Sequence, residues 1–211
     1  MGQLQPGSET EPEPLSGTPS PEDVSGAFET RPFAQRPIAL VGMMGVGKTT
    51  VGRRLAKRMG RQFYDSDEEI ERASGRTVSG YFRDHGEADF RGGERRVIAR
   101  LLGEPDAVVA TGGGAFVNPD TRALLQAGAL VVWLQADFNT VMARVSKKDT
   151  RPLLRVPDPG ARVRELMAER EPFYELAHVH VRVARGPHMR TVGKVERAVE
   201  RFLAERKRDA A

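Results

Sequence analysis

The stretch Ile38-Ala39-Leu40-Val41-Gly42-Met43-Met44-Gly45-Val46-Gly47-Lys48-Thr49-Thr50 (IALVGMMGVGKTT, residues 38–50) decides the fold. Four apolar residues read as a short buried strand, and the periodic run Val51-Gly52-Arg53-Arg54-Leu55-Ala56 behind the motif reads as an amphipathic helix. Between them, residues 42–49 match G-x-x-x-x-G-K-[ST] in full. Glycines let successive backbone N–H groups turn inward around a phosphate. Lys48 can reach the β- and γ-phosphates, and the Thr49 hydroxyl is placed for Mg²⁺. The following helix presents its positive dipole end to the same anion. A strand before and a helix after are the context that makes this a nucleoside triphosphate site and not a glycine-rich turn.

Working outward, short apolar strands are expected at 38–42, 62–65, 107–110, 129–134 and 178–183. Helical periodicity fills 48–60, 67–74, 77–83, 86–103, 119–127, 137–146, 160–177 and 191–207. Strands alternating with helices predict a three-layer α/β/α domain around a five-stranded parallel sheet. Ligands in such sheets bind beyond the carboxyl ends of the strands.

Composition narrows the class. No cysteine is present, which excludes disulfides, thiolate metal sites and a cysteine nucleophile. No run approaches the ~20 apolar residues of a membrane span, and no secretory signal is visible, so a cytoplasmic protein without a membrane partner is expected. Residues 1–35 hold six prolines, six acidic side chains and one basic one, and read as a disordered Pro/Glu-rich tail ahead of a domain over 36–211. The rest carries 32 basic against 23 acidic residues, a surplus that suits an anionic partner. Much of it, as in Arg95-Arg96 and Arg201 to Arg208, is mixed with glutamate and reads as solvated helix face.

The acceptor of the phosphate is written further on. No N-K-x-D guanine motif follows, and the late strand ends in Gln135 with no acidic pair. Acids appear instead at Asp65-Ser66-Asp67, after the second strand. Ser66 and Glu69 have the spacing of a capping box and Asp67 complements a helix dipole, which leaves Asp65 without a capping role. On a helix, Phe90, Glu94, Val97 and Leu101 share one face, so Glu94 lies in an apolar stripe with Arg91 close enough to pair with it. Gly92-Gly93 weakens that helix by roughly 1 kcal/mol each, which suggests close packing. The third strand ends in Thr111-Gly112-Gly113-Gly114, where bare amides at the sheet's carboxyl edge suit an anion or a hydroxyl.

Together, GMMGVGKTT, DSD, F-x-x-x-G-E-x-x-F-R-x-x-E (Phe82 to Glu94), TGGGA and T-R-P-L-L (Thr150 to Leu154) closely resemble the shikimate kinase family, in order from about residue 37 to 205. The resemblance implies a nucleoside-monophosphate-kinase-like P-loop fold that moves the γ-phosphoryl group of ATP to the 3-hydroxyl of shikimate, with Mg²⁺. It implies ATP on Gly45, Val46, Gly47, Lys48, Thr49 and Thr50, with Arg151 from a mobile lid at about 146–160 and Arg185 from the base-contacting loop. It implies shikimate on Asp67, Arg91, Gly112, Gly113, Gly114 and Arg170, and the metal on Thr49 and Asp65. Lys48, Asp67 and Arg151 would carry the catalysis, in a monomer. Val163, Leu166, Met167 and Arg170 share one helical face, so an inward Arg170 needs an anion to be tolerable. His85 reads as structural.

Three other readings compete. A gluconate-type sugar-acid kinase would share the loop but not the Phe90-Arg91/Glu94 and triple-glycine set. A nucleic-acid-binding ATPase is prompted by the basic surplus but lacks aromatics interleaved on a basic stretch. An inactive kinase-like module conflicts with catalytic positions that are all filled.

Overall fold

β1 (Ile38–Val41) runs through the centre of a five-stranded parallel sheet with the order β2-β3-β1-β4-β5, where β2 is Gln62–Asp65, β3 Ala107–Ala110, β4 Leu130–Gln135 and β5 Val179–Arg182. The computed structural model describes residues 31–104, 106–146, 156–183 and 186–209. β1, β3 and β4 are apolar almost throughout and buried on both faces, as central parallel strands must be. β5 alternates buried and exposed residues and β2 is only half covered, which fits their places at the edges.

Among the described residues seven helices flank the sheet: α1 (Lys48–Met59), α2 (Ser66–Ser74), α3 (Val78–Gly103), α4 (Pro119–Gly128), α5 (Phe138–Val145), α6 (Pro159–Tyr174) and α7 (His188–Asp209). The chain steps from β1 leftward to β2, then rightward through β3, β4 and β5. Right-handed crossovers therefore put α1 on one face and α2 to α6 on the other. α7 packs on α1, while α2 lies on α3, α3 on α4 and α5 on α6. The main core fills the space around β1 and β4, and a smaller cluster of Ile70, Phe90, Val97, Leu101, Ala107 and Val109 lies beneath α2 and α3. Among the described residues no helix is long and apolar enough to cross a membrane.

The expected elements are all present, with shifted ends. The two helices expected over 77–83 and 86–103 run as one, broken at Gly86 by φ 79°, ψ 176°, a backbone that only glycine adopts cheaply. α6 stops at Tyr174 and α7 starts at His188, three residues before the periodicity suggested. Two boundaries shift by a few residues. The tail was drawn to residue 35, yet Phe33–Gln35 form a 3-10 turn and Phe33 packs edge-on against His178 and Phe202, 5.0 and 5.2 Å between ring centroids. The lid was drawn to 160, yet α6 begins at Pro159, capped by Asp158, whose Oδ1 accepts from the Ala161 N–H. Residues 147–155 of the lid and residues 1–30 lie outside the described residues.

Candidate active site

The motif after β1 folds as its glycines require. Gly45 and Gly47 take φ of 80° and 98°, and Gly47 caps α1 with no side chain over the helix end, so the first amides of α1 face outward. The Lys48 ammonium curls over the loop and donates to the Gly42 and Met43 carbonyls at 2.7 and 3.0 Å. Val46 turns its side chain into the core and Thr50 is exposed, so Val46 has only its backbone to offer a phosphate. Arg144, at the end of α5, reaches across and donates to the Val46 carbonyl at 2.7 Å. His188 at the start of α7 lies beside Gly47, 3.1 Å from where a Cβ there would stand. Neither residue was anticipated. A basic residue in the last turn of a helix normally reads as a dipole partner, and the sequence carries no sign that this one braces the phosphate loop.

The acids after β2 divide their work differently from the expected capping box. Asp65 itself caps α2, its Oδ1 accepting from the Asp67 N–H at 3.1 Å, while its Oδ2 accepts from the Thr49 hydroxyl at 2.7 Å. Ser66 is fully buried and its Oγ accepts from the Gly112 N–H at 3.1 Å. Glu69 pairs with Arg72 and, at 2.6 Å, with Arg100. Thr49 and Asp65 thus present adjacent hard oxygens at the mouth of the phosphate loop, which suits Mg²⁺ bound through one or two protein oxygens plus substrate phosphate. Among the described residues no group of three or more acidic or histidine side chains could enclose a metal alone.

One strand over, α2, α3 and α6 send side chains to the loop after β3. Arg91 donates to Glu94 at 2.6 Å and to Glu87 at 3.2 Å, with its guanidinium over the Phe90 ring at 5.4 Å. Glu94 is 1% exposed, as the apolar stripe required. Arg170 donates to the Gly113 carbonyl at 3.2 Å. These groups crowd Gly112 and Gly114, while Gly113 stands in ordinary contact with its neighbours. A Cβ on Gly112 would stand 2.8 Å from Asp67 Oδ1 and 2.9 Å from Glu94 Oε1. One on Gly114 would stand 2.5 Å from Arg91 Nη2, and one on Gly113 would stand 3.4 Å from the Met44 N of the phosphate loop. Asp67, Arg91, Arg170 and the glycine loop therefore converge beside the phosphate cradle. Gly92-Gly93 does not show the expected tight packing: a Cβ on either would make only ordinary contacts, at 3.6 and 3.9 Å. His85 stays outside the cleft, beside Arg76 and Tyr81. Arg151 and Arg185 lie outside the described residues.

Electrostatics singles out one acid. Burial, and then the neighbouring Asp65 charge, push the Asp67 carboxyl up from 3.8 to about 6, while Lys48 and Arg91 pull it partway back. Burial likewise raises Glu94, against the opposing charge of Arg91. Asp67 thus carries a carboxyl with raised proton affinity beside the Gly112 backbone, near Lys48 and Arg91.

Residues 44–203 match the family model described as Shikimate kinase. A shikimate kinase of Caulobacter vibrioides is 51% identical over 173 residues, 82% of this chain and 86% of its own length. One from Novosphingobium aromaticivorans is 49% identical over 172 residues, 80% and 89% of the two chains. The solved shikimate kinase of Acinetobacter baumannii, in complex with shikimate, superposes with a TM-score of 0.73 at 40% identity, covering 82% of this chain and 94% of that one. With that family's motifs in order along the chain and its fold around them, the chain belongs to the shikimate kinase family.

Proposed function

We propose that this cleft transfers the γ-phosphoryl group of ATP to the 3-hydroxyl of shikimate, giving shikimate 3-phosphate and ADP. The observation that carries the reading is the meeting of Asp67, Arg91 and Arg170 at the glycine loop, one strand from a complete phosphate cradle. Two arginines beside one glycine loop match a carboxylate, which the planar guanidinium fork grips with two hydrogen bonds. Arg91 is oriented by the buried Glu94, which limits the rotamers it can take.

In the same reading Asp67 receives the reacting hydroxyl and takes its proton as the oxygen attacks phosphorus. A pKa raised to about 6 leaves it ionised at neutral pH yet basic enough to hold that proton. Lys48, now on the loop's own carbonyls, swings to the transferred phosphoryl group, and the open N-terminus of α1 faces the phosphates. By the family resemblance, Arg151 would reach the phosphates and Arg185 would serve the base. Thr49 and Asp65 would hold Mg²⁺, which would supply neutralisation of the phosphate charge. The protein's own contribution is mainly position and charge.

A coupled ADP-release assay with shikimate, quinate, gluconate and nucleoside monophosphates tests this. Turnover should be strong with shikimate and slight with gluconate and nucleoside monophosphates. Equal or faster turnover of gluconate would sink the assignment.

A further inference from the structure

We infer that Ser66 and Tyr174, two buried hydroxyls from opposite sides of the cleft, are positioning residues that preset the glycine loop for the acceptor substrate. The inference rests on the functional reading above and deepens it.

The loop after β3 is held at two points. At one, the Gly112 N–H donates to Ser66 Oγ at 3.1 Å, from the first turn of α2. At the other, the Tyr174 hydroxyl donates to the Gly113 carbonyl at 2.5 Å, from the last turn of α6. Ser66 is 0% and Tyr174 1% exposed, and burial pushes the tyrosine up to about 12, so it remains a donor across the working pH range. The Gly112 amide is thereby spent inside the protein. It was expected to serve the substrate, and that work passes to Gly113 and Gly114.

The carbonyl of Gly113 takes a second, longer bond from Arg170 at 3.2 Å. An oxygen with two lone pairs can accept both donors. The shorter tyrosine bond keeps the carbonyl satisfied when Arg170 turns to a carboxylate. Without Tyr174, Arg170 would be the carbonyl's remaining partner here, and gripping the substrate would leave a buried acceptor bare. The hydroxyl, which also accepts a hydrogen bond from Arg170, thus fixes the Gly113–Gly114 peptide plane and braces the arginine beside it. No part of this touches the phosphate loop's own hydrogen bonds, so the effect should fall on one substrate.

Tyr174→Phe removes the hydroxyl and keeps the ring beside Trp133, whose centroid is 5.9 Å away. Trp133 is the chain's sole tryptophan, so its fluorescence can follow shikimate binding directly. The expected result is a rise of about tenfold in shikimate KM and in the shikimate Kd, with ATP KM moving by less than about twofold, the size of one buried acceptor left unpaired. Ser66→Ala should move the same constants in the same direction, and it decides the matter if Tyr174→Phe fails to fold. A hydroxyl that only stabilises the fold would lower Tm and leave this KM split untouched. Wild-type turnover of shikimate with both variants keeping its KM and Kd, or with both substrates weakened equally, would overturn the inference alone. A wild-type chain that does not turn over shikimate would overturn the functional reading and the inference with it.

Discussion

Asp67→Asn should stabilise the protein while disabling it. The carboxyl titrates near 6 in the fold, against an ordinary 3.8. At 1.36 kcal/mol per pH unit that interval amounts to about 3 kcal/mol of unfavourable interaction when the group is ionised. The sign follows from linkage. A folded pKa above the unfolded one means the native state binds the proton more readily, so the stability is complete below the unfolded value near 4. It is lost as pH rises through about 6. An isosteric amide carries no charge and escapes the penalty. Urea unfolding should therefore show Asp67→Asn ahead of the wild type by up to about 3 kcal/mol at pH 8, and by almost nothing at pH 4. The same variant should lose about 10²-fold or more in kcat, the usual contribution of a positioned base. In the wild type, kcat/KM for shikimate should fall on the acid side with an apparent pKa near 6. A stability gain equal at pH 4 and pH 8 would refute the electrostatic argument. Near-normal kcat in the amide variant would refute the role.

Arg91→Ala should raise shikimate KM strongly and ATP KM much less. It should also cost about 3–5 kcal/mol of stability by leaving Glu94 buried without its cation, which calorimetry would register. Gly114→Ala should be nearly inactive, since its Cβ would stand 2.5 Å from the Arg91 guanidinium, and Gly112→Ala should fail against Asp67 and Glu94 alike; wild-type shikimate binding in either would contradict the crowding. Arg151→Ala should lower kcat and kcat/KM together by roughly 10²-fold, with Arg151→Lys recovering only part. Deleting residues 1–30 should leave kcat, KM and Tm unchanged in a scanning-fluorimetry and turnover comparison. Deleting 1–35 should lower Tm, because Phe33 is then lost from its contacts with His178 and Phe202.

The phosphate loop was legible because everything that defines it is contiguous: strand, glycines, lysine and helix lie within about twenty residues. Strand alternation gave the parallel sheet for the same local reason. The glycine loop after β3 was legible as a row of bare amides, but the crowding that demands small residues there was not. Its crowding comes from Asp67, Glu94, Arg91 and Arg170, on three different helices, and no sequence period connects them. Ser66 matched a helix cap so well that its true acceptor role, to an amide 46 residues away, was hidden. Arg144 and Tyr174 left no trace at all. Their partners lie 98 and 61 residues distant, and each is a backbone carbonyl, which any residue type would supply.

The near-contact between Gly113 and Met44 has a consequence for the reaction's entropy. With a Cβ position on Gly113 only 3.4 Å from the Met44 amide, no Gly113 side chain separates the phosphate loop from the glycine loop, which takes the acceptor in the proposed reading. Their spacing is established when the sheet folds, by the pairing of β1 with β3, and not when the substrates arrive. Each reactant then loses its translational freedom to a loop already standing at the right distance from the other. In solution the two would have to find that distance by chance. Orienting two reactants in this way is the gain that effective molarities of ~10⁵–10⁸ M express for well-oriented intramolecular reactions, and what the fold supplies in advance is the distance between the loops.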